Sequence, residues 1–276
     1  MIFKIIHLYK NIGLVEFIRF ILNQLFIKFG FPLNEIHIKE KLSKYLIEKF
    51  GYQIKYGQFS GLLLNKDYWW GKYDITNKLL GSYESHVTEH LIILSKKYKY
   101  FINLGAADGY FAIGLLKKRY IDKAICFEIS PKGRDNILKN SQINGVSEYI
   151  EIYGEANKHS INEIILKNKE SIILCDIEGG EFKLFNDSLL SSLKFCSIII
   201  ETHEFLENYS HDDLKKLIER SERYFDVKYI NKNAIDINAY EELDDFPDDW
   251  RLLAFSENRP KKMNWLIMVP KNYETK

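Results

Sequence analysis

The sequence predicts an α/β fold: a mostly parallel sheet with helices on both faces, preceded by an N-terminal helical extension and a small hairpin. Three observations predict it. From Lys99 onward, short apolar runs (YFINL, KAICFE, YIEIY, SIILCD, CSIIIE) alternate with polar or amphipathic segments such as RDNILKNSQ and NEIILKNK. The runs are apolar throughout rather than on alternate residues, as parallel strands covered on both faces must be. Before Lys99 helical spacing dominates. The chain therefore divides into an extension, residues 1–80, and a sheet domain, residues 81–276.

The elements follow in order. Over residues 12–29, Leu14, Ile18, Ile21 and Leu25 fall on one helical face, with Gly30 and Pro32 placed to stop the helix. Its apolar surface is too broad to leave in water, so residues 12–50 are expected to pack on the sheet domain or on a second subunit, a route to a homodimer. Its charges, among them Glu16, Arg19 and Lys28, break the uncharged runs, so no transmembrane segment is expected. Residues 35–50 read as a second helix capped by Asn34 and ended by Gly51. Residues 52–56 and 61–65 read as a hairpin, and a third helix runs from about Tyr83 to Lys97. After the strand–helix alternation, DDLKKLIERSERYF is a helix, and DVKYIN and NWLIMVP are the last strands. The acidic stretch 241–249 reads as a solvated connection.

Composition narrows the function. Thirty-nine basic and 38 acidic side chains leave a net charge of +1, which argues against a nucleic-acid partner, whose footprint is a basic excess. Cys126, Cys175 and Cys196 each sit in or beside an apolar run, without metal-ligand spacing, and read as core thiols of a reducing compartment. No signal peptide is visible, since no alanine precedes Ala106 to form a cleavage site. The expected location is cytoplasmic, with the oily N-terminus leaving room for peripheral contact with the inner membrane.

Chemistry concentrates at three strand ends. In INLGAADG, Gly105 follows a strand and permits a tight strand-to-helix turn with close backbone approach to a ligand; Gly109 relieves the next contact. Ala107 stands where a dinucleotide-binding turn has its second glycine, the one that makes room for a pyrophosphate. Glu128 ends the next strand, where a carboxylate can accept from both hydroxyls of a ribose. These two features point to a nucleoside and leave adenosylmethionine and a nicotinamide cofactor both open. In CDIEGGE, Asp176, Glu178 and Glu181 crowd a Gly-Gly turn, an arrangement that serves a cation, a metal, a proton or a sugar's hydroxyls. Glu201 and His203 end the following strand in ETHE and should converge with Asp176 and Glu178 on one crevice.

These motifs resemble the FkbM-type methyltransferases, a branch of the class I S-adenosylmethionine-dependent superfamily. INLGAADG is similar to the family's first glycine motif, FEISP to its ribose-binding strand, DIEGGE to its hallmark turn and ETHE to its next strand end. The likeness extends from GSYE at residues 81–84 to SENRPKKMNWLIMVP at residues 256–270. Asn103 and Ala107 depart from it, standing where the family has Asp and often Asn. The resemblance implies a seven-stranded Rossmann-like sheet with one antiparallel strand. It also implies O-methylation, often of sugars in surface glycans or natural products, with S-adenosylhomocysteine as the co-product. Carried over, Asn103, Gly105, Asp108 and Gly109 would cradle the amino-acid portion of the cofactor and Glu128 its ribose. Glu155 and Ala156 would lie near the adenine, Glu84 would reach the ligand from the preceding helix, and Asp176 would bridge cofactor and acceptor.

Methyl transfer is an in-line displacement, so the protein's tasks are to align an acceptor oxygen and remove its proton. His203 is the natural base, with Asp176 and Glu201 orienting it. Glu178 and Arg259 are expected to bind the acceptor, with residues 232–263 forming one wall of its pocket. The carboxylates and His203 leave a divalent metal open. The metal-free arrangement is favoured, because the sulfonium already balances the carboxylates.

Overall fold

Seven strands make one sheet in the order β3-β2-β1-β4-β5-β7-β6. They are β1 Tyr100–Leu104, β2 Lys123–Phe127, β3 Ile150–Tyr153, β4 Ser171–Cys175, β5 Ser197–Thr202, β6 Phe225–Ile230 and β7 Asn264–Pro270. Pairs among β1 to β5 are parallel, and β7 runs antiparallel between β5 and β6. This is the Rossmann-like sheet with one antiparallel strand that the sequence implies. The computed structural model describes residues 35–67, 74–168, 170–206, 208–257, 259 and 261–271, together with Ile18 and Leu22.

The strand order reverses between β1 and β4. In open α/β sheets the crevice outside the carboxyl ends of such strands is where ligands bind. Alternation along each strand divides the core in two. Phe101, Ile172 and Leu174 face one apolar cluster, while Ile102, Ile173 and Cys175 face the other. The first face is covered by α4 Tyr110–Lys117, by α5 Pro131–Ile143 and by residues ahead of the sheet; the second by α6 Lys158–Lys167, α7 Glu181–Leu184, α8 Asp187–Ser192 and α9 His211–Ser221.

Residues 35–80 share the first cluster. Leu42 and Leu46 of α1 Glu35–Phe50, Ile54 of the hairpin and Leu79 of α2 Ile75–Leu79 are buried in it. The hairpin carries a single bridge, Gln53 to Leu63. Three asparagines of α5 and its cap, Asn136, Asn140 and Asn144, stand in for a further strand edge. Asn144 bonds both the N–H and the carbonyl of Leu63, at 2.9 and 2.8 Å, and Asn140 Oδ1 accepts from the Asn65 N–H at 2.8 Å. Asn140 Nδ2 in turn donates to the Asp108 carbonyl at 2.8 Å, which ties the hairpin to the glycine turn.

Two expectations change. Residues 241–249 are more than a solvated connection: Leu243 and Phe246 are buried between exposed acids, and the Phe246 ring meets Tyr45 of α1 edge-on at 5.0 Å. Helix α10, Asp248–Ala254, follows at once. The third helix is shorter than expected, α3 Ser85–Ser95, because Glu84 takes a left-handed conformation with φ 43°. Of the helix expected over 12–29, Ile18 and Leu22 are helical and exposed. Its remaining residues, the stop at Gly30 and Pro32 and the cap at Asn34 lie outside the described residues. All three cysteines are buried without disulfides, and burial pushes the thiols of Cys126 and Cys196 up to about 12. Among the described residues no helix is long and apolar enough to cross a membrane.

Candidate active site

The site grows from two adjoining turns at the switch point. The Gly105 and Ala106 N–H groups both donate to the Phe127 carbonyl at 2.9 Å, and the Asp176 N–H donates to the Leu104 carbonyl at 2.9 Å. Gly105 has φ +80°, and a Cβ there would lie 1.7 Å from the Asp176 carbonyl oxygen. Glycine is therefore dictated by backbone meeting backbone. Ala107, with φ 48°, holds a left-handed conformation that costs about 1–2 kcal/mol with a side chain present. Its N–H donates to Glu128 Oε2 at 2.9 Å, while Glu128 Oε1 accepts from the Ser130 N–H at 2.8 Å. Each carboxylate oxygen keeps a second lone pair for a hydroxyl donor.

Beside these turns opens a cavity of about 590 Å³, a small-molecule volume. Gly105, Glu128, Glu155, Ala156, Asp176 and Glu178 all line it. Across Gly105, Ala107 and Asp176 lies a second, small void of about 30 Å³, lined also by Lys78, Asn103 and Asp108. The Lys78 ammonium is buried there, 2.6 Å from Asp108 Oδ2. Asn103 Oδ1 and Asp176 Oδ1 are buried without a hydrogen-bond partner. Gly109 serves packing instead: a Cβ on it would press on Ile113 and Ile137. Lys78 was not legible in the sequence, because it sits in ITNKL ahead of the sheet and reads as an ordinary helical lysine.

Asp176, Glu178, Glu201 and His203 do converge. His203 is 1% exposed, and its Nε2 lies 3.5 Å from Asp176 Oδ1, 3.4 Å from Glu178 Oε2 and 3.7 Å from Glu201 Oε2. Glu181, fully buried, fixes the ring from behind. Its Oε1 accepts from the His203 N–H at 2.8 Å and lies 3.2 Å from Nδ1, while its Oε2 accepts from the Gly179 N–H at 2.9 Å. Burial alone would push His203 down, but Glu181, Asp176 and Glu178 together hold it above its ordinary value. Asp176 is pushed up to about 6 by burial first, with His203 pulling against it and Glu178 adding to it. Burial, with Asp176 and Glu84 adding their charge, raises Glu201 well above the carboxylate range. Asp176 is about a third exposed and lines the cavity; His203 stands behind it. Asp176, Glu178 and His203 each offer an atom within 4.8 Å of the others, a spacing that would admit a divalent cation.

Arg259 is placed differently from the expectation. Rather than standing free for an acceptor, each of its guanidinium nitrogens meets a carboxylate: Nη1 bonds Glu201, Nη2 bonds Glu84, and Nε donates to Glu257 Oε2 at 3.0 Å. Glu84 is 1% exposed and lines neither cavity described so far; burial pushes it up to about 8, with Arg259 pulling the other way. The physical reason is that two carboxylates buried at the ends of separate elements need a cation more than a solvated acceptor does. Residues of the loop, Arg259 among them, line a third cavity of about 920 Å³.

No family profile and no curated protein matches the chain. Solved structures do. A protein of the NADB-Rossmann superfamily from Streptococcus agalactiae shares 17% identity over 68% of this chain and 70% of its own, with a TM-score of 0.40. An rRNA methylase from Streptococcus thermophilus shares 12% over 66% of this chain and 94% of its own, with a TM-score of 0.43. A spermidine synthase bound to a transition-state analogue shares 15% over 69% of this chain and 60% of its own, with a TM-score of 0.44. Likenesses this distant assign no activity to the chain.

Proposed function

We propose that the chain is an S-adenosylmethionine-dependent O-methyltransferase of the FkbM type, acting on a hydroxyl of a sugar or sugar-linked group of a surface glycan or its precursor. The observation that carries this reading is the pair of voids meeting at Gly105, Ala107 and Asp176. The larger has nucleoside dimensions and a carboxylate, Glu128, suited to ribose hydroxyls. The smaller presents the buried Lys78–Asp108 pair together with two acceptors that have no hydrogen bond, Asn103 Oδ1 and Asp176 Oδ1. A zwitterionic amino-acid terminus complements that set, since its ammonium answers the two oxygens and its carboxylate can share the three donors of Lys78 with Asp108. A dinucleotide offers no such zwitterion.

S-adenosylmethionine supplies an electrophilic methyl on a sulfonium whose charge disappears on transfer. The residues need to align an acceptor hydroxyl, worth up to about 7–11 kcal/mol in ideal geometry, and accept its proton. Asp176 is the carboxylate that a hydroxyl in the cavity meets. His203 Nε2, 3.5 Å behind it, takes up the proton, and Glu181 holds the ring in place. Glu201 keeps the cluster's charge in balance through Arg259.

Adenosylhomocysteine is expected to bind and NAD not, by calorimetry. Glu128→Ala should weaken adenosylhomocysteine and methylthioadenosine alike. Lys78→Met should weaken only adenosylhomocysteine, by about tenfold or more, because methylthioadenosine lacks the amino-acid terminus. Tighter binding of NAD than of adenosylhomocysteine would sink the assignment.

The three-ligand spacing at Asp176, Glu178 and His203 fits a divalent cation, which would lower the pKa of a bound hydroxyl. The reading preferred is metal-free, because a raised His203 already serves as proton acceptor and Mg prefers an all-oxygen shell. Turnover is expected to survive exhaustive chelation unchanged. Loss on chelation with rescue by Mg or Mn would overturn this part.

A further inference from the structure

The third cavity stands apart from the proposed site. It opens between the end of β6, at Ile230 to Lys232, and the start of β7, at Asn264 and Trp265. None of its lining residues lines either void at the glycine turn. Arg259, bonded to Glu84 and Glu201, separates it from the carboxylate cluster. A molecule held here is lined by none of Asp176, Glu178 or His203.

Its volume, about 920 Å³, is that of a small-molecule pocket, and its walls have two characters. One wall is apolar, with Ile230, Phe255 and Trp265 buried in it and Tyr229 half exposed. The other is basic, with Lys232, Arg259, Lys261 and Lys262 against one acid, Glu257. Lys232 and Arg259 each pair with Glu257 at 3.0 Å, and Arg259 also bonds Glu84 and Glu201, so their charge is answered within the protein. Lys261 and Lys262 are exposed and pair with no carboxylate among the described residues.

His86 adds a third feature. It lines the cavity, is 5% exposed and stands edge-on to Trp265, the ring centroids 6.4 Å apart. Its Nδ1 is buried without a hydrogen-bond partner. Burial pushes the imidazole down to about 4, so at neutral pH it is uncharged, with one N–H donor and one acceptor. A buried polar group is costly to leave unpaired, and a bound molecule is one way to answer it. The two lysines set the charge of such a molecule, and the aromatic wall sets its body. A bare inorganic ion gains nothing from Trp265 and Tyr229, whereas a ring does. The chain's net charge of +1 favours a small anion over a polyanion, which needs an extended basic track.

We infer that this cavity is a second ligand site, for a small organic anion with a ring-bearing body whose carboxylate or phosphate is bound by Lys261 and Lys262. The inference goes beyond the methyltransferase reading and does not rest on it. The ring lies against Trp265 and Tyr229, and the anionic group stays at the mouth.

The test uses the full chain and four probes: benzoate, phenyl phosphate, benzyl alcohol and inorganic phosphate. Binding is read by ligand-observed NMR, and for inorganic phosphate by competition with the tighter organic anion. Benzoate or phenyl phosphate is expected to bind about tenfold tighter than both benzyl alcohol and inorganic phosphate. Which of the two prevails separates carboxylate from phosphate. The preference over benzyl alcohol should vanish in Lys261→Glu/Lys262→Glu and fade toward 1 M salt, where the screening length is about 3 Å. The preference over inorganic phosphate should shrink in Tyr229→Ala, a half-exposed position outside the core. The His86 ring resonance, identified by its absence from His86→Phe, should move as the organic anion binds. Equal binding of benzyl alcohol or of inorganic phosphate, a preference that survives the double variant, an unmoved His86 resonance, or no binding of any probe would overturn the proposal. So would competition by adenosylhomocysteine, which would put the probes in the cofactor site, or tighter binding of a short oligoribonucleotide at the same lysines.

Discussion

Arg259→Met is expected to cost about 3–5 kcal/mol of stability, the typical loss when one partner of a buried ion pair is removed. Glu84 and Glu201, 1% and 2% exposed, would then face each other without a cation. Their only relief is protonation, and the loss should therefore depend on pH. A buried carboxylate whose folded pKa lies above its unfolded value binds its proton more tightly in the folded state. Its contribution is intact at low pH and lost as pH rises through the folded value. Burial already pushes Glu84 up to about 8, and removing Arg259, which pulls it down, would push it further. Urea denaturation at pH 8 and pH 9.5 should show the gap between wild type and variant widening at the higher pH, because the two folded states hold different numbers of protons only above the wild-type value of about 8. Adding Glu84→Gln to Arg259→Met should recover part of the loss at pH 8. A gap independent of pH, unaffected by that second change, would mean that Arg259 acts through packing of its aliphatic stem rather than through charge.

Asp176→Asn and His203→Ala are each expected to lower kcat by about 10²–10⁴, the usual contribution of a positioned proton acceptor. Adenosylhomocysteine affinity should change far less in Asp176→Asn, which keeps the shape of the side chain. In the wild type, Asp176 is pushed up to about 6 and His203 sits above its ordinary value, so the proton acceptor is vacant only at higher pH. The rate should fall as pH drops toward about 6, and this limb should move or disappear in the variants. Glu181→Gln should shift the same limb downward by weakening the carboxylate support behind His203 Nδ1, without touching the cavity wall. If His203→Ala kept full activity and the same pH limb, His203 would be a structural histidine and Asp176 would act alone.

The strands, and the strand ends that line the candidate site, were legible in the sequence for a local reason. Short continuous apolar runs alternating with amphipathic segments mark buried strands, and residues just beyond a parallel run, such as Gly105, Glu128, Asp176 and His203, stand at the sheet's carboxyl edge. The glycine requirement at residue 105 was readable as a tight turn, although its cause, the Asp176 carbonyl 1.7 Å from a would-be Cβ, was not. What only the tertiary structure decided is pairing. Arg259 reads as a loop arginine free for an acceptor until the fold sets it against Glu84, 175 residues away in sequence, and Glu201, 58 residues away. Lys78 reads as a helical lysine until the glycine turn brings Asp108 within 2.6 Å. The energy of a charge depends on which opposite charge lies within a few ångströms and on how much water both have lost. Hydrophobic periodicity, summed along a short stretch of chain, carries no record of either.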